Sequence, residues 1–290
     1  MKKTGLICII LASVLWGTSG LFVDTLSPYG VTSLQMTFIR ALVAFSCMGI
    51  YVLISGKDLV KTSFREILLF MGSGISFFMT GTCYFQSMQL TSVSTAVVLM
   101  YTAPIFVMIY SVIFLGEKIN MIKLIAVVGM IAGCILTSGI IGGFKVDGIG
   151  IGIGFLSGIA YASYNILTKI EMQKGINPIK ANFYCFLFSM IAGLTVARPV
   201  ALLDCISQNP PVVISLSLGV GIVACILPYF LYTVALREIP VGTASSLGIL
   251  EPMSATIFSV LLLGEKLTPY SLVGIILILG SVFILGRENE

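Results

Sequence analysis

Glu251 has more chemistry to offer than any other residue in the chain. It stands mid-way along an apolar run, 241–263, that holds no other charge. A carboxyl group at the centre of a bilayer is costly, and by default it marks a functional site. There it can bind and release a proton or hold a cation, the work of a coupling group. The bland alternative is a permanently protonated side chain hydrogen-bonded to a neighbouring helix. Arg40 lies about seven residues into the run 33–54, hence ~10 Å from one end at 1.5 Å per residue. It could anchor a substrate carboxylate, pair with Asp24 or snorkel to the interface. A structural or gating ion pair is favoured, because charges in spans normally pair.

Pro104 interrupts the apolar run 92–114 near its middle, and Pro252 does the same in 241–263, beside Glu251. Proline lacks the N–H donor and clashes with the carbonyl four residues back. The C=O groups of Met100 and Gly248 are therefore expected to leave the helical ladder, and Pro228 does the same for Ala224. Freed carbonyls can hold a polar solute or let a helix bend during gating; the alternative is an inert kink satisfied by its neighbours. Trp16, Tyr84, Tyr101, Tyr161, Tyr164 and Tyr229 lie well inside apolar runs, and Asn165 is a further candidate substrate ligand. Aromatic rings with polar tips suit an aromatic side chain or a cation held against a ring face, although each one singly reads as helix packing. Ser73, Ser76, Thr80, Tyr84 and Ser87 form a stripe at three- and four-residue spacing, which in lipid should face protein or water.

Other chemistry is excluded by what the chain lacks. It has no His, so no imidazole base and no His-held metal or haem is available. Its 7 Cys form no CxxC pair and mostly sit in apolar runs, reading as small buried hydrophobes. Gly148-Ile-Gly-Ile-Gly-Ile-Gly154 is not a phosphate loop, because no Lys-Ser/Thr follows it. Gly150, Gly154 and Gly158 at four-residue spacing permit close helix packing instead. No cofactor, metal or nucleic-acid partner is expected, and no ATP-binding loop is visible.

The elements that position these residues follow from composition. Of 290 residues, 58% are apolar and only 10% charged, where a soluble domain carries about a quarter charged. This is the balance of an integral membrane protein. A spanning helix needs about 20 apolar residues; runs of that length fall near 5–24, 33–54, 67–87, 92–114, 120–140, 149–168, 180–197, 212–236, 241–263 and 268–286. The first follows Lys2 and Lys3 and is read as an uncleaved span. Residues 1–290 thus form one membrane domain, all-α, because only helices or closed barrels satisfy backbone polar groups in lipid. With the N-terminus inside, twelve Lys and Arg fall on inner segments and three (Lys145, Arg198, Lys266) on outer ones. That asymmetry predicts two cytoplasmic termini and an even number of spans.

The halves also repeat. Thr95–Lys118 (TAVVLMYTAPIFVMIYSVIFLGEK) aligns without a gap to Thr243–Lys266 (TASSLGILEPMSATIFSVLLLGEK), an offset of 148 residues, and Trp16-Gly-Thr-Ser is weakly echoed by Tyr161-Ala-Ser-Tyr. Five spans is an odd number, so a second copy (149–286) would enter the membrane upside down relative to the first (5–140). Inverted repeats with interrupted helices are the architecture of secondary transporters; the alternative is a duplicated ten-helix bundle without transport. Glu117 and Glu265, at the span ends, read as interfacial anchors or caps.

Trp16-Gly-Thr-Ser, Phe38-Ile-Arg40, Pro104 with Leu115-Gly-Glu-Lys118, and Leu250-Glu-Pro-Met253 with Leu263-Gly-Glu-Lys266 resemble the EamA-type permeases of the drug/metabolite transporter superfamily. The resemblance covers Gly5 to Gly286. It implies a 5+5 inverted fold whose central cavity is formed mostly by spans 1, 3, 4, 6, 8 and 9, with spans 5 and 10 peripheral. It also implies movement of amino acids, amines, nucleosides or other metabolites, often outward. The expectation is a secondary transporter of the plasma membrane, not an enzyme, for small polar metabolites, foremost amino acids or related amines, as a proton-coupled exporter and as monomer or homodimer. Trp16, Tyr84, Tyr101, Tyr161, Asn165, Tyr229 and Glu251 would bind substrate, and Glu251, Arg40, Pro104 and Pro252 would couple or gate. A carrier of organic cations or quaternary amines is the alternative. An intramembrane enzyme on lipid-linked substrates is disfavoured by the scarcity of deep ionisable groups.

Overall fold

The computed structural model describes residues 3–56, 61–91, 93–116, 120–137, 147–263 and 268–288. These are helical throughout, with no strand among them. The first half comprises α1 (Lys3–Gly17), α2 (Ser19–Leu26), α3 (Ser33–Ser55), α4 (Phe64–Leu90), α5 (Val93–Met100), α6 (Ala103–Leu115) and α7 (Met121–Thr137). The second comprises α8 (Gly148–Gln173), α9 (Pro178–Val196), α10 (Pro199–Gln208), α11 (Pro210–Gly221), α12 (Leu227–Glu238), α13 (Val241–Leu247), α14 (Leu250–Leu263) and α15 (Pro269–Glu288). Lys118, Lys145, Lys266, Glu117 and Glu265 lie outside the described residues.

Local sequence fixes where several of these begin. Thr32 accepts from Gln35 N–H while Gln35 reaches back to Thr32 N–H, a capping box that starts α3. Ser63 and Glu66 do the same for α4. Asp147 accepts from Gly150 N–H ahead of α8, and Asn177 followed by Pro178 opens α9. Helix α8 stops where Gly175 turns left-handed, φ +73°.

Among the described residues eight segments are long and apolar enough to cross a membrane. Four are single helices: α3, α4, α8 and α9. The other four are interrupted. Helices α1 and α2 part at Thr18, α5 and α6 at Tyr101–Thr102, and α13 and α14 at Gly248–Ile249. Between α11 and α12 a π-helical turn, Ile222–Ile226, intervenes. The expected runs at 120–140 and 268–286 form α7 and α15, whose apolar stretches Met121–Leu136 and Pro269–Ser281 are shorter than the other eight. Helix α10, which buries Leu202 and Cys205, is an element that composition alone did not announce.

The apolar surface is divided as a membrane protein requires. Ile54, Leu53, Val128, Ile276 and Phe283 are among the large hydrophobic side chains left exposed, a coat that water would not tolerate but lipid does. Inside, α4 packs along α8, α1 along α12 and α14, and α9 against α3 and α4, while α7 pairs chiefly with α15. The α8 glycines serve this packing. A Cβ on Gly150 would lie 2.6 Å from Thr91, one on Gly154 2.5 Å from Leu99, and one on Gly158 2.9 Å from Thr102. The chain is a multi-span, all-helical membrane protein.

Candidate functional site

The breaks deliver the unusual groups. At the α13/α14 break, Glu251 N–H donates to Gly248 C=O at 2.9 Å, so this carbonyl is not left open as its spacing to Pro252 predicts. The break itself absorbs the proline. Pro252 falls in the first turn of α14 and Pro104 in the first turn of α6, positions where a missing N–H costs nothing. The Leu247 carbonyl lies 3.2 Å from Ser13 Oγ on α1, so α1 is tied to the same break.

Glu251 is partly exposed. Its Oε2 accepts from the Tyr101 hydroxyl at 2.6 Å, a short bond of the kind a charged acceptor makes. Tyr101 occupies the α5/α6 break, 2% exposed. The two breaks, at residues 148 apart in the chain (101 and 249), therefore meet across this bond. Tyr84 from α4, Tyr161 from α8, Tyr229 from α12 and Arg40 from α3 are all within electrostatic reach of the Glu251 carboxyl.

Arg40 is held by a freed carbonyl rather than by an acid. Its Nη2 donates to Ala224 C=O at 2.9 Å, the group that Pro228 deprives of a helical partner and around which the π-turn forms. The side chain of Asp24, its expected partner, is outside the described residues. Arg40 Nε is buried without an acceptor, and among the described residues no ion pair within 4.0 Å joins Arg40 to Glu251. The two charges share a neighbourhood without neutralising each other by contact.

An aromatic cluster adjoins them. Trp16 packs edge-on against Tyr229 (centroids 5.0 Å) and against Tyr232 (5.4 Å). Tyr229 also meets Phe77 at 4.7 Å and Tyr164 at 5.6 Å. Trp16 Nε1 and the Tyr232 hydroxyl are buried with no hydrogen-bond partner, which is uncommon for such groups. Asn165 reaches α13 rather than Glu251: its Nδ2 donates to Ser245 Oγ at 3.3 Å, and its Oδ1 has no partner among the described residues. The polar stripe of α4 divides: Ser87 donates to Gly150 C=O and Ser73 bonds Glu171, both across to α8, leaving Tyr84 on the Glu251 side.

Sequence reading overlooked Cys134, Tyr232, Lys169 and Glu171. Cys134 lies within electrostatic reach of Glu251. Lys169, assigned to a solvent-facing segment, is 8% exposed and donates to the Leu236 and Ile239 carbonyls at 2.8 Å each, capping α12. Glu171 is 1% exposed. Continuing the helical period from Tyr161 through Asn165 and Thr168 would have placed Glu171 on the inner face, had the run not been ended at 168.

Comparison with known proteins agrees with this architecture. The model of the EamA-like transporter family matches twice, at residues 3–139 and 148–287. An uncharacterized transporter of Archaeoglobus fulgidus is 30% identical over 99% of this chain and 97% of its own. The uncharacterized transporter YwfM of Bacillus subtilis is 26% identical, covering 96% and 92%. One solved crystal structure, 15% identical, superposes with a TM-score of 0.79 over 100% of both chains, a likeness of fold alone. With nearly its whole length accounted for by the two matches, the chain belongs to the EamA-like transporter family.

Proposed function

We propose that this chain carries amino acids or related amines across the plasma membrane by alternating access, as a proton-coupled exporter working as a monomer or homodimer. The observation that supports it is the placement of Glu251 and Arg40 within electrostatic reach of each other. A carboxyl and a guanidinium reach one aromatic neighbourhood from separate helices and do not bond each other. Arg40, Tyr84, Tyr229 and Glu251 keep partial exposure although they lie within the apolar segments Leu34–Ser55, Phe64–Leu90, Pro210–Glu238 and Val241–Leu262, as residues around a recess do. A solute with an ammonium group for Glu251 and a carboxylate for Arg40 would complete both. Trp16, Tyr101, Tyr161 and Asn165 would shape the pocket, and the breaks at Pro104 and Pro252 would serve as hinges.

The reading extends to topology. Two inverted five-helix copies, 5–140 and 149–286, would give ten spans with both termini in the cytoplasm. Support comes from the two family matches, the equivalent breaks before Pro104 and Pro252, and the Lys/Arg asymmetry. Halves of near-equal structure can exchange roles, so that the passage opens to either side.

The test is Glu251→Gln in proteoliposomes, which should abolish pH-driven uptake while the purified protein stays folded. Unchanged pH dependence would remove Glu251 from coupling. A thermal-shift screen of amino acids, amines and nucleosides identifies the solute, since a ligand of the native state raises stability as RT ln(1 + [L]/Kd). The Trp16–Tyr229 cluster favours a second reading, a carrier of quaternary amines. Binding by amines that lack a carboxylate, undiminished in Arg40→Met, would select it.

A further inference from the structure

A second buried carboxyl group, Glu171, lies apart from the Glu251 site. Its Oε1 is 3.0 Å from Ser73 Oγ on α4, and the same hydroxyl is 3.1 Å from the Phe70 carbonyl. A serine hydroxyl has one proton to give. If Glu171 is ionised, that proton must point at the carboxylate, and among the described residues this one neutral side-chain donor offsets a charge withdrawn from water, a poor exchange. If Glu171 carries a proton, its O–H donates to Ser73 and Ser73 donates onward to the Phe70 carbonyl. Both hydroxyl protons then have an acceptor.

The surroundings favour the second arrangement. From α9 the thiol of Cys185 lies within electrostatic reach of the carboxyl and shares a hydrogen bond with the Ser73 hydroxyl. Cations on the adjoining elements have other partners: Lys169 bonds the Leu236 and Ile239 carbonyls, Arg237 the Ile176 carbonyl, and Lys180 the Glu66 carboxylate at 3.0 Å. Glycines flanking Ser73 close the slot. A Cβ on Gly72 would sit 3.1 Å from Leu167 of α8, and one on Gly74 2.6 Å from the Cys185 carbonyl of α9. At Gly74 the contact is backbone to backbone, so α4 and α9 pack closely beside the carboxyl.

We propose that Glu171 is a second proton-binding site, which holds its proton while α4, α8 and α9 are closed together and gives it up to water when they part. That this proton takes part in the transport cycle rests on the transporter reading; that it is bound does not.

Infrared difference spectroscopy of the full chain in lipid reads the proton directly. In a Glu251→Gln background at neutral pH, a carbonyl stretch of a protonated carboxylic acid should be present and should vanish on adding Glu171→Gln. Ser73→Ala should raise its frequency by deleting the acceptor, which reports on Glu171 without altering it. Gly74→Ala, which forces α9 away, should make the band disappear at alkaline pH, where the parent band persists. Absence of the band while Glu171 is present, or its survival in Glu171→Gln, would overturn the proposal; so would a Gly74→Ala band indifferent to bulk pH. A Glu171 band in a protein that moves no solute would sustain this site and sink the transport reading, whereas an active transporter without the band would do the reverse.

Discussion

Two glycines three residues apart in the first span make opposite predictions. A Cβ on Gly17 would lie 2.7 Å from Ser254 Cβ, 2.9 Å from Ala255 N and 3.1 Å from the Glu251 carbonyl. Carbon atoms pack at about 3.5 Å, so Gly17→Ala is short of space by about 0.8 Å. Two of the three obstructing atoms are backbone and cannot rotate aside. Helix α14 must move off α1, carrying Glu251 with it and straining the Ser13–Leu247 contact. Overpacking of this kind costs about 1–3 kcal/mol. At Gly20 nothing lies within 4 Å, and a helical Gly→Ala change there gains about 0.5–1 kcal/mol. The two alanine variants should therefore bracket the wild type in thermal unfolding of the purified protein, separated by about 1.5–4 kcal/mol. Gly17→Ala should also weaken ligand-induced stabilisation, which Gly20→Ala leaves alone. Equal stabilities, or a Gly17 variant that binds as tightly as wild type, would refute the close crossing of α1 over α14 as the element that positions Glu251.

Two other contacts yield sharp expectations. Arg40→Met should destabilise by about 1–3 kcal/mol by orphaning the Ala224 carbonyl, and Pro228→Ala, which restores an N–H four residues on, should recover part of that loss; a double-mutant cycle with no coupling would show that Arg40 does not cap this carbonyl. Lys169→Met strips two carbonyls at the end of α12 of one shared donor and should cost about 1–3 kcal/mol in thermal unfolding, whereas a change within about 0.5 kcal/mol, the range of ordinary surface substitutions, would mean that water serves those carbonyls as well.

Much of the site was legible because membrane burial makes polar residues conspicuous. Glu251, Arg40, Tyr84, Tyr101, Tyr161 and Tyr229 could be singled out only because each interrupts an apolar run, and the fold brings the other five within electrostatic reach of Glu251. Partners were harder. Proline rules identified the Ala224 carbonyl as freed, but nothing local to residue 224 names an acceptor's donor 184 residues away on α3. The same rules misjudged Gly248, because a helix that breaks outright can turn three residues later and satisfy its own carbonyl. Glu171 and Lys169 were hidden by the opposite circumstance. They follow Thr168 in a stretch whose charge reads as the end of a span, and only the continuation of α8 to Gln173 buries them. Helix α10 was invisible for the same reason, since ten residues of mixed polarity look like a loop until Leu202 and Cys205 find a surface to cover.

The interruptions and the unpaired groups are two sides of one arrangement. A continuous helix satisfies its own backbone and asks nothing of its neighbours; a broken one exposes carbonyls and N–H groups that something else must meet. Here three of the four interruptions are joined to another helix by a side chain: Ser13 at α13/α14, Arg40 at the π-turn, and Tyr101, itself at the α5/α6 break, to Glu251. Such bonds cross between helices, so they can be exchanged when helices shift, as bonds within a helix cannot. Trp16 Nε1, Arg40 Nε and Asn165 Oδ1, which are buried and have no hydrogen-bond partner among the described residues, would be costly in a protein selected for stability alone. A solute seated between Glu251 and Arg40 would reach this neighbourhood, so a bound amino acid should stabilise the protein in a manner lost separately by Arg40→Met and by Glu251→Gln, each removing one end of the ligand's grip. A ligand whose stabilisation survives both changes would place its site elsewhere, and the orphaned atoms would then need another account.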